Sequence, residues 1–411
     1  MTPSFASLAS SSLEGKTAVV RMDLNVPMRG NEVQDTTRIL RQLPTVRLLQ
    51  KKGAKIVILS HLGRPEGTYV PALSLAPLVD TLADLLKDTK VSFGVDCVGK
   101  TARHAVQALQ PGDVVLLENL RFHREEEAND PQFAVQLAAL GDVYVNDAFS
   151  CAHRAHASIP GIAEHLPAYA GILMQEELDT LHRLFQAPQR PVAAIVGGSK
   201  ISTKLTVLEH LLHHMDHIMI GGAMAHTFVL GAGYGVGTSL VEADMVETAR
   251  SITQRAQASG CRLHLPVDYV TAPHLSAHAH CHIAAAHTLP EAQSALDIGP
   301  RTINAWGALL RDCRSVVWNG PVGAFEVPPF DVGTSTLARI VADLSARHAL
   351  TSVAGGGDTV AALRQSGMAN SFSYLSTAGG AFLEWLEGKE LPGVAALQHD
   401  TPPHPQQASQ A

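Results

Sequence analysis

Ser352, Val353 and Ala354 lead into Gly355, Gly356 and Gly357, and these into Asp358, Thr359, Val360 and Ala361. This pattern reads as a strand that turns on glycine into a helix. Glycine lets a backbone turn sharply and approach a bulky anion closely. The helix that follows aims free N–H groups at that anion. Asp358, in the first turn, can hold a magnesium ion beside phosphate oxygens. The plainer alternative is a tight strand–helix turn with Asp358 as N-cap. The same grammar recurs where Val192 to Val196 runs into Gly197, Gly198, Ser199 and Lys200, and where residues 373–377 run into Ala378, Gly379 and Gly380. A chain built of such units is expected to be α/β, with parallel sheets flanked by helices.

At 411 residues the chain exceeds one ordinary core, so two domains are expected. The amphipathic run from Met174 to Phe185, followed by Pro188 and Pro191, marks the boundary as a linking helix with a proline stop. The expected division is an N-terminal domain over 1–173, a linker over 174–187, a C-terminal domain over 188–390 and a final segment over 391–411. The polar tail from Gln398 is expected to be disordered. A net charge of -7 argues against general nucleic-acid binding. Five scattered cysteines without a C-x-x-C pair suit a reducing cytosol. No apolar run is long enough to span a bilayer, and residues 1–12 lack the basic and apolar parts of a signal peptide.

In the first half, residues 18–27 alternate like a strand, with Val20, Met22, Leu24 and Val26 on one face and Arg21, Asp23 and Asn25 on the other. Polar residues in register are unusual in a buried parallel strand; an edge strand with a solvated face is the alternative. Arg38 falls in the first turn of a helix opened by Asp35, where the helix dipole disfavours a cation. Later strands end near His61 and Arg64, near Arg121, and near Arg154. Ligands of parallel α/β sheets bind outside the carboxyl ends of the strands. Several basic residues delivered to one such edge of an acidic protein imply a small, doubly anionic ligand, held by arginine on phosphate and carboxylate.

In the second half, a helix is expected from Ile201, with Ile201, Leu205, Leu208 and Leu212 as its buried stripe and Lys200 and Lys204 stacked on a flanking face. The spacing is not that of a Walker A loop, and the glycines from Gly231 to Gly237 lack the placement of a dinucleotide fingerprint. His210, His213, His214 and His217 are expected on one helix. His274, His278, His280, Cys281, His282 and His287 crowd a second segment. Neither group completes a tetrahedral metal set of known spacing, and solvated surface is the default reading.

Taken together, the motifs resemble those of the phosphoglycerate kinase family over nearly the whole chain, from Leu13 to Leu397. They are residues 21–27, 35–38, 61–65, 118–122 and 152–157 in the first half, and 197–200, 318–321, 355–359 and 379–381 in the second. The resemblance implies two Rossmann-like domains joined by a hinge helix. It implies reversible, magnesium-dependent phosphoryl transfer between 1,3-bisphosphoglycerate with ADP and 3-phosphoglycerate with ATP, by a cytoplasmic monomer without nucleic-acid or membrane partners. Matched position by position, Asp23, Asn25, Arg38, His61, Leu62, Gly63, Arg64, Arg121 and Arg154 correspond to the family's 3-phosphoglycerate site. Lys200, Lys204, Gly221, Gly222, Asn319, Glu326, Gly355, Gly356, Gly357, Asp358 and Thr359 correspond to its nucleotide site, with Glu326 on the ribose hydroxyls and Asp358 on magnesium. Arg38, Lys200, Gly357 and Gly379 would surround the moving phosphoryl group. The rivals are a catalytically silent relative and a dinucleotide-binding dehydrogenase. Retention of Arg38, Lys200 and Asp358 speaks against the first, and the lack of a placed G-x-G-x-x-G against the second. Ala378 stands where the family usually has the first of three glycines, and alanine would be strained there if φ were positive. Thr203, Ala223 and His226 also vary the nucleotide-side pattern.

Overall fold

The computed structural model of the protein describes residues 8–376 and 378–398. The tail expected to be disordered lies, from residue 399 onward, outside the described residues, as do Thr377 and residues 1–7. The chain divides into two units, one reaching Asp179 and resuming at Glu390, the other running from Thr180 to Lys389.

The first unit carries β1 (Thr17–Arg21), β2 (Met28–Arg29), β3 (Glu32–Val33), β4 (Lys55–Leu59), β5 (Val91–Gly94), β6 (Val114–Leu117), β7 (Val143–Asn146) and β8 (Ala168–Ala170). Six of these form a parallel sheet in the order β5-β6-β4-β1-β7-β8, and β2 and β3 pair as a small antiparallel hairpin. The edge-strand alternative for β1 is therefore wrong. It has neighbours on both sides, and Arg21 and Asp23 are buried. Val20, Met22, Leu24 and Val26 do share one face, packing into a core with Ile39, Leu43, Val46 and Leu49 of the Thr37–Lys51 helix. Val19 points the other way, into a core with Val57, Leu59 and Tyr144. Each such side chain, fully buried, contributes about 1.5–3 kcal/mol.

The strand expected to reach Pro27 stops at Arg21. Beyond that point side chains replace the ladder: Asp23 N donates to Gln42 Oε1 at 2.7 Å and Leu24 N to Ser60 Oγ at 2.9 Å. The apolar alternation persists although the strand does not, because the core still takes every second residue.

The second unit carries β9 (Val192–Val196), β10 (His217–Ile220), β11 (Arg262–His264), β12 (Asp268–Ala272), β13 (His282–Ala285), β14 (Ser294–Ile298), β15 (Ser315–Asn319), β16 (Thr351–Ala354) and β17 (Tyr374–Leu375). Its parallel sheet runs β11-β10-β9-β15-β16-β17. Trp318 on β15 is fully buried in the core with Trp306, Leu310, Leu337 and Val341, and its Nε1 donates to Gly320 O at 2.8 Å. The antiparallel sheet β13-β12-β14 was not foreseen. The helix expected to hold four histidines is also corrected. It spans Leu205–Leu211 and holds only His210, while His217 opens β10 and pairs with His264, Nδ1 to Nε2, at 3.1 Å. The second histidine-rich segment forms the β12–β13 connection, β13 and the short turn Ala286–Thr288 after it, which holds His287. Among the described residues it brings no three metal-ligating atoms together.

The Ile172–Phe185 helix begins in the first unit and ends in the second. Its start is held within the first unit, where Ile172 N donates to Thr45 Oγ1 at 2.8 Å and Met174 N to Asp147 Oδ1 at 3.1 Å. Burial pushes the Asp147 carboxyl up to about 7. At the other end of the chain, Gly393 N donates to Ala152 O at 2.8 Å within the first unit. No helix among the described residues is long and apolar enough to cross a membrane.

Candidate functional site

In the first unit, the segments following β1, β4, β6 and β7 bring the predicted basic residues toward one another. Asp23 is buried and accepts from Asn25 N at 3.0 Å and from the Ser150 hydroxyl. Arg38 Nη1 lies 3.0 Å from Asp23 Oδ2 and donates to Asn25 O at 2.8 Å. Asn25 Oδ1 accepts from Gly63 N at 3.0 Å, tying the segment after β1 to that after β4. Leu62 is buried, and its carbonyl accepts from Asn119 Nδ2 at 2.8 Å. Asn119 also accepts from Arg121 N at 3.1 Å, which sets the short turn carrying Arg121.

Arg121 is the least satisfied of these cations. It is 3% exposed, and its Nη1 donates to Gly63 O at 2.7 Å. Nη2 has no hydrogen-bond partner among the described residues. Nε has none either, although it lies 3.2 Å from Glu127 Oε1. Buried guanidinium donors are costly to leave unpaired. Burial and the charge of Arg154 lower the Arg121 pKa against the pull of Glu127. Arg154 is half-buried. Burial, then the charges of Arg21, Arg121, Arg154 and His156, hold His61 well below the usual histidine value, so it is neutral at pH 7. Arg64 is exposed and makes no hydrogen bond or ion pair among the described residues. This edge is a concentration of positive charge with open donors, which suits an anion bearing several oxygens.

Arg21 was missed as a site residue. It is 1% exposed, and its Nη2 meets His61 Nδ1 at 3.1 Å. Its place on the polar face shared with Asp23 and Asn25 was the available signal.

In the second unit, Asn319 links two of the glycine turns. Its Nδ2 donates to Gly355 O at 2.8 Å, and its Oδ1 accepts from Lys204 Nζ. Thr359 Oγ1 accepts from Gly320 N at 2.7 Å. Gly356 has φ 99°, and a Cβ there would lie 2.7 Å from Asn319 Nδ2, so this turn requires glycine. Gly356 is also the N-cap of the Gly357–Gln365 helix. Asp358 is therefore not the N-cap. It sits in the first turn, exposed, with no hydrogen bond or ion pair among the described residues. Gly221 and Gly222 follow β10, where Gly221 N donates to Val196 O and Gly222 N to Val322 O, both at 2.9 Å.

Lys200 and Lys204 do not stack on a helix as expected, because the helix begins at Leu205 and Lys204 is its N-cap. Residues 202–204 form a turn anchored by Ser202 on the Glu242 carboxylate. Lys200 is exposed; Lys204 is half-buried, and burial lowers its pKa against the field of Asp358. Glu326 is exposed on the turn after β15 and touches none of the other candidates through a hydrogen bond or ion pair.

Positive φ falls on Gly379, at 53°, and Ala378 beside it is buried. With φ < 0 at this position, Ala378→Gly is expected to leave activity unchanged and to lower stability by about 0.4–1 kcal/mol, read by thermal unfolding. A large rise in rate would show that alanine obstructs the turn. Thr203 Oγ1 donates to Lys200 O at 3.0 Å, and Ala223 is the N-cap of the Met224–Gly231 helix.

His226 is buried, with Nδ1 on Leu240 O at 3.1 Å and its ring edge-on to Tyr269. Burial lowers its pKa to about 4. The unfolded chain then binds a proton that the folded chain refuses, so stability present above the unfolded pKa is lost as pH falls toward the folded one. Relative to His226→Phe, the wild type should lose about 3 kcal/mol between pH 7 and pH 4 in chemical denaturation. A pH-independent difference between the two would contradict this burial of a neutral imidazole.

Comparison with known proteins identifies the family. The family model for phosphoglycerate kinase matches residues 8–389. A phosphoglycerate kinase from Cereibacter sphaeroides is 54% identical over 385 residues, covering 94% of this chain and 97% of its own. One from Rhodospirillum centenum is 53% identical over 393 residues, covering 96% and 99%. The solved structure of phosphoglycerate kinase from Coxiella burnetii superposes with a TM-score of 0.89 at 38% identity, covering 99% of this chain and all of that one. The chain belongs to the phosphoglycerate kinase family.

Proposed function

We propose that the chain transfers a phosphoryl group between the acyl phosphate of 1,3-bisphosphoglycerate and ADP, and in reverse from ATP to the carboxylate of 3-phosphoglycerate. The first unit takes the acid phosphate and the second the nucleotide. The observation that carries this reading is the buried Arg121, whose Nε and Nη2 lack hydrogen-bond partners among the described residues amid the positive field of Arg154 and Arg21. Such donors are organised for an anion that supplies the missing oxygens.

The carboxylate nucleophile is ionised at neutral pH, so no general base is needed. Catalysis then consists of positioning and charge stabilisation. Arg64, Arg121 and Arg154 hold the permanent charges of the acid substrate, with Asp23, Asn25 and the Gly63 backbone orienting its polar groups. Arg38 from the first unit and Lys200 from the second meet the phosphoryl group in flight, with the N–H groups of Gly357 and Gly379. Lys204, Asn319, Thr359 and the glycines at 221–222 and 355–356 shape the nucleotide side, and Glu326 takes the ribose. Asp358 has the exposed, uncommitted carboxylate that suits magnesium, which binds through one or two carboxylates and substrate phosphates. Bound there, the ion would neutralise phosphate charge. Ligands on separate units react only if a closure excludes water, and the Ile172–Phe185 helix, shared by both units, is the hinge of this reading.

The reading includes a cytoplasmic monomer, and the free, mostly buried cysteines suit a reducing compartment. A coupled assay of ATP-dependent phosphorylation of 3-phosphoglycerate tests the function. Magnesium-dependent turnover is expected; nucleotide binding without turnover would identify a silent relative.

A further inference from the structure

We propose that Ser158 and Glu126 are positioning residues for the acid substrate: acting through Arg21, they hold His61 as the neutral tautomer with its proton on Nε2. The imidazole then meets a substrate oxygen as a hydrogen-bond donor. This inference rests on the reading of the first-unit edge as the acid-phosphate site.

Arg21 has almost no freedom to serve a ligand. Its Nε donates to Ser158 Oγ at 2.9 Å, its Nη1 to Met22 O, and its Nη2 points at His61 Nδ1 at 3.1 Å and Cys151 Sγ at 3.7 Å. A guanidinium only donates. Nδ1 of His61 must therefore be the acceptor, which leaves the proton on Nε2. Nε2 makes no hydrogen bond among the described residues, so its donor is open.

The anchor behind Arg21 is equally specific. Ser158 lies in the turn Ala157–Gly161, and its Oγ donates to Glu126 Oε1 at 2.6 Å while its backbone N donates to Oε2 at 2.9 Å. Glu126 is fully buried. Burial opposes its ionisation, but the nearby His156, the charge of Arg21 and the hydrogen bonds from Ser158 outweigh that and hold it below its usual value. A buried carboxylate, a hydroxyl relay and a buried guanidinium thus form one line ending at the imidazole. The other groups facing His61 come from each neighbouring segment: Asp23 after β1, Arg121 after β6, and Cys151, Arg154 and His156 after β7. Ser158 accepts from Arg21 and donates to Glu126 at once, so its hydroxyl sets the direction of the whole line. Nothing in the proposed phosphoryl transfer requires Ser158 or Glu126 to touch substrate.

The test is long-range nitrogen–proton NMR of His61 at neutral pH, assigned by His61→Gln, in the wild type and in Ser158→Ala, with steady-state kinetics on both. The wild type should show the Nε2–H tautomer with and without 3-phosphoglycerate. Ser158→Ala should give mixed tautomers and raise KM for 3-phosphoglycerate about three- to tenfold, with kcat within about twofold, as loss of one substrate hydrogen bond does. An Nδ1–H or doubly protonated His61 in the wild type would overturn the proposal, and needs no variant to be seen. An unchanged tautomer and KM in a folded Ser158→Ala would do the same. If the wild type fails to phosphorylate 3-phosphoglycerate at all, the functional reading falls, while the substrate-free spectra still decide the tautomer.

Discussion

Arg38→Ala is expected to lower kcat by on the order of 10³ or more, with a much smaller change in KM. Arg64, Arg121 and Arg154 can hold charges that are the same before and during transfer. Arg38 is different. Its side chain is one-third exposed, 33%, and among the described residues only Nη1 is committed, to Asp23 and Asn25 O. The remainder of its planar fork is open, at the start of the Thr37–Lys51 helix. The phosphoryl group spreads charge over its equatorial oxygens only once the bond to its donor loosens. A donor waiting for that charge acts on kcat. Arg38→Lys keeps the charge without the fork and should fall between the wild type and the alanine variant. Arg121→Ala should instead raise KM for 3-phosphoglycerate more than it lowers kcat, because its contacts serve ground and transition states alike. Kinetics of both variants under one set of conditions check this. If Arg38→Ala changed only KM, or if both variants behaved alike, Arg38 would not be the transition-state residue.

Asp358→Ala should remove most turnover with magnesium-nucleotide, by on the order of 10²-fold or more, while 3-phosphoglycerate affinity stays nearly intact. The carboxylate is exposed and unpartnered among the described residues, so its removal breaks no packing. Stability should change by less than about 0.5 kcal/mol, as for other surface substitutions. Asp358→Asn, similar in shape but uncharged, should lose nearly as much. Initial rates across a magnesium series separate this from a folding defect. A variant that recovered the wild-type rate without added magnesium would contradict the assignment of the charge.

The two parallel sheets were legible because strand, glycine and helix follow one another in plain order, and because apolar residues fill both faces of strands such as Val192–Val196. The end of β1 was not legible. The alternation runs to Val26, but the N–H groups of Asp23 and Leu24 are met by Gln42 and Ser60 side chains that only tertiary structure brings near. The antiparallel sheet escaped because β13 is short, begins at His282 and exposes Ile283, so it lacks an inward apolar face. The helix expected at Ile201 starts four residues later, since Glu242 takes the Ser202 amide and hydroxyl and holds a turn there. For the sites, Arg38 stood out as a cation in the first turn of a helix, His61 and Arg121 as basic residues at the carboxyl ends of strands, and Asp23 as a polar residue where a buried strand should be apolar. Arg21 carried the same signal, yet its burial and its hold on His61 depend on Ser158 and Glu126, whose positions no local pattern announces.

The central claim is that the two units hold the two ligands by separate sets of residues. Calorimetric titration of 3-phosphoglycerate and, separately, of magnesium-ADP into the wild type, Arg121→Ala and Asp358→Ala tests it most directly. Arg121→Ala should lose 3-phosphoglycerate affinity and keep nucleotide affinity, and Asp358→Ala should do the reverse. An equal loss of both affinities in either variant would contradict the account.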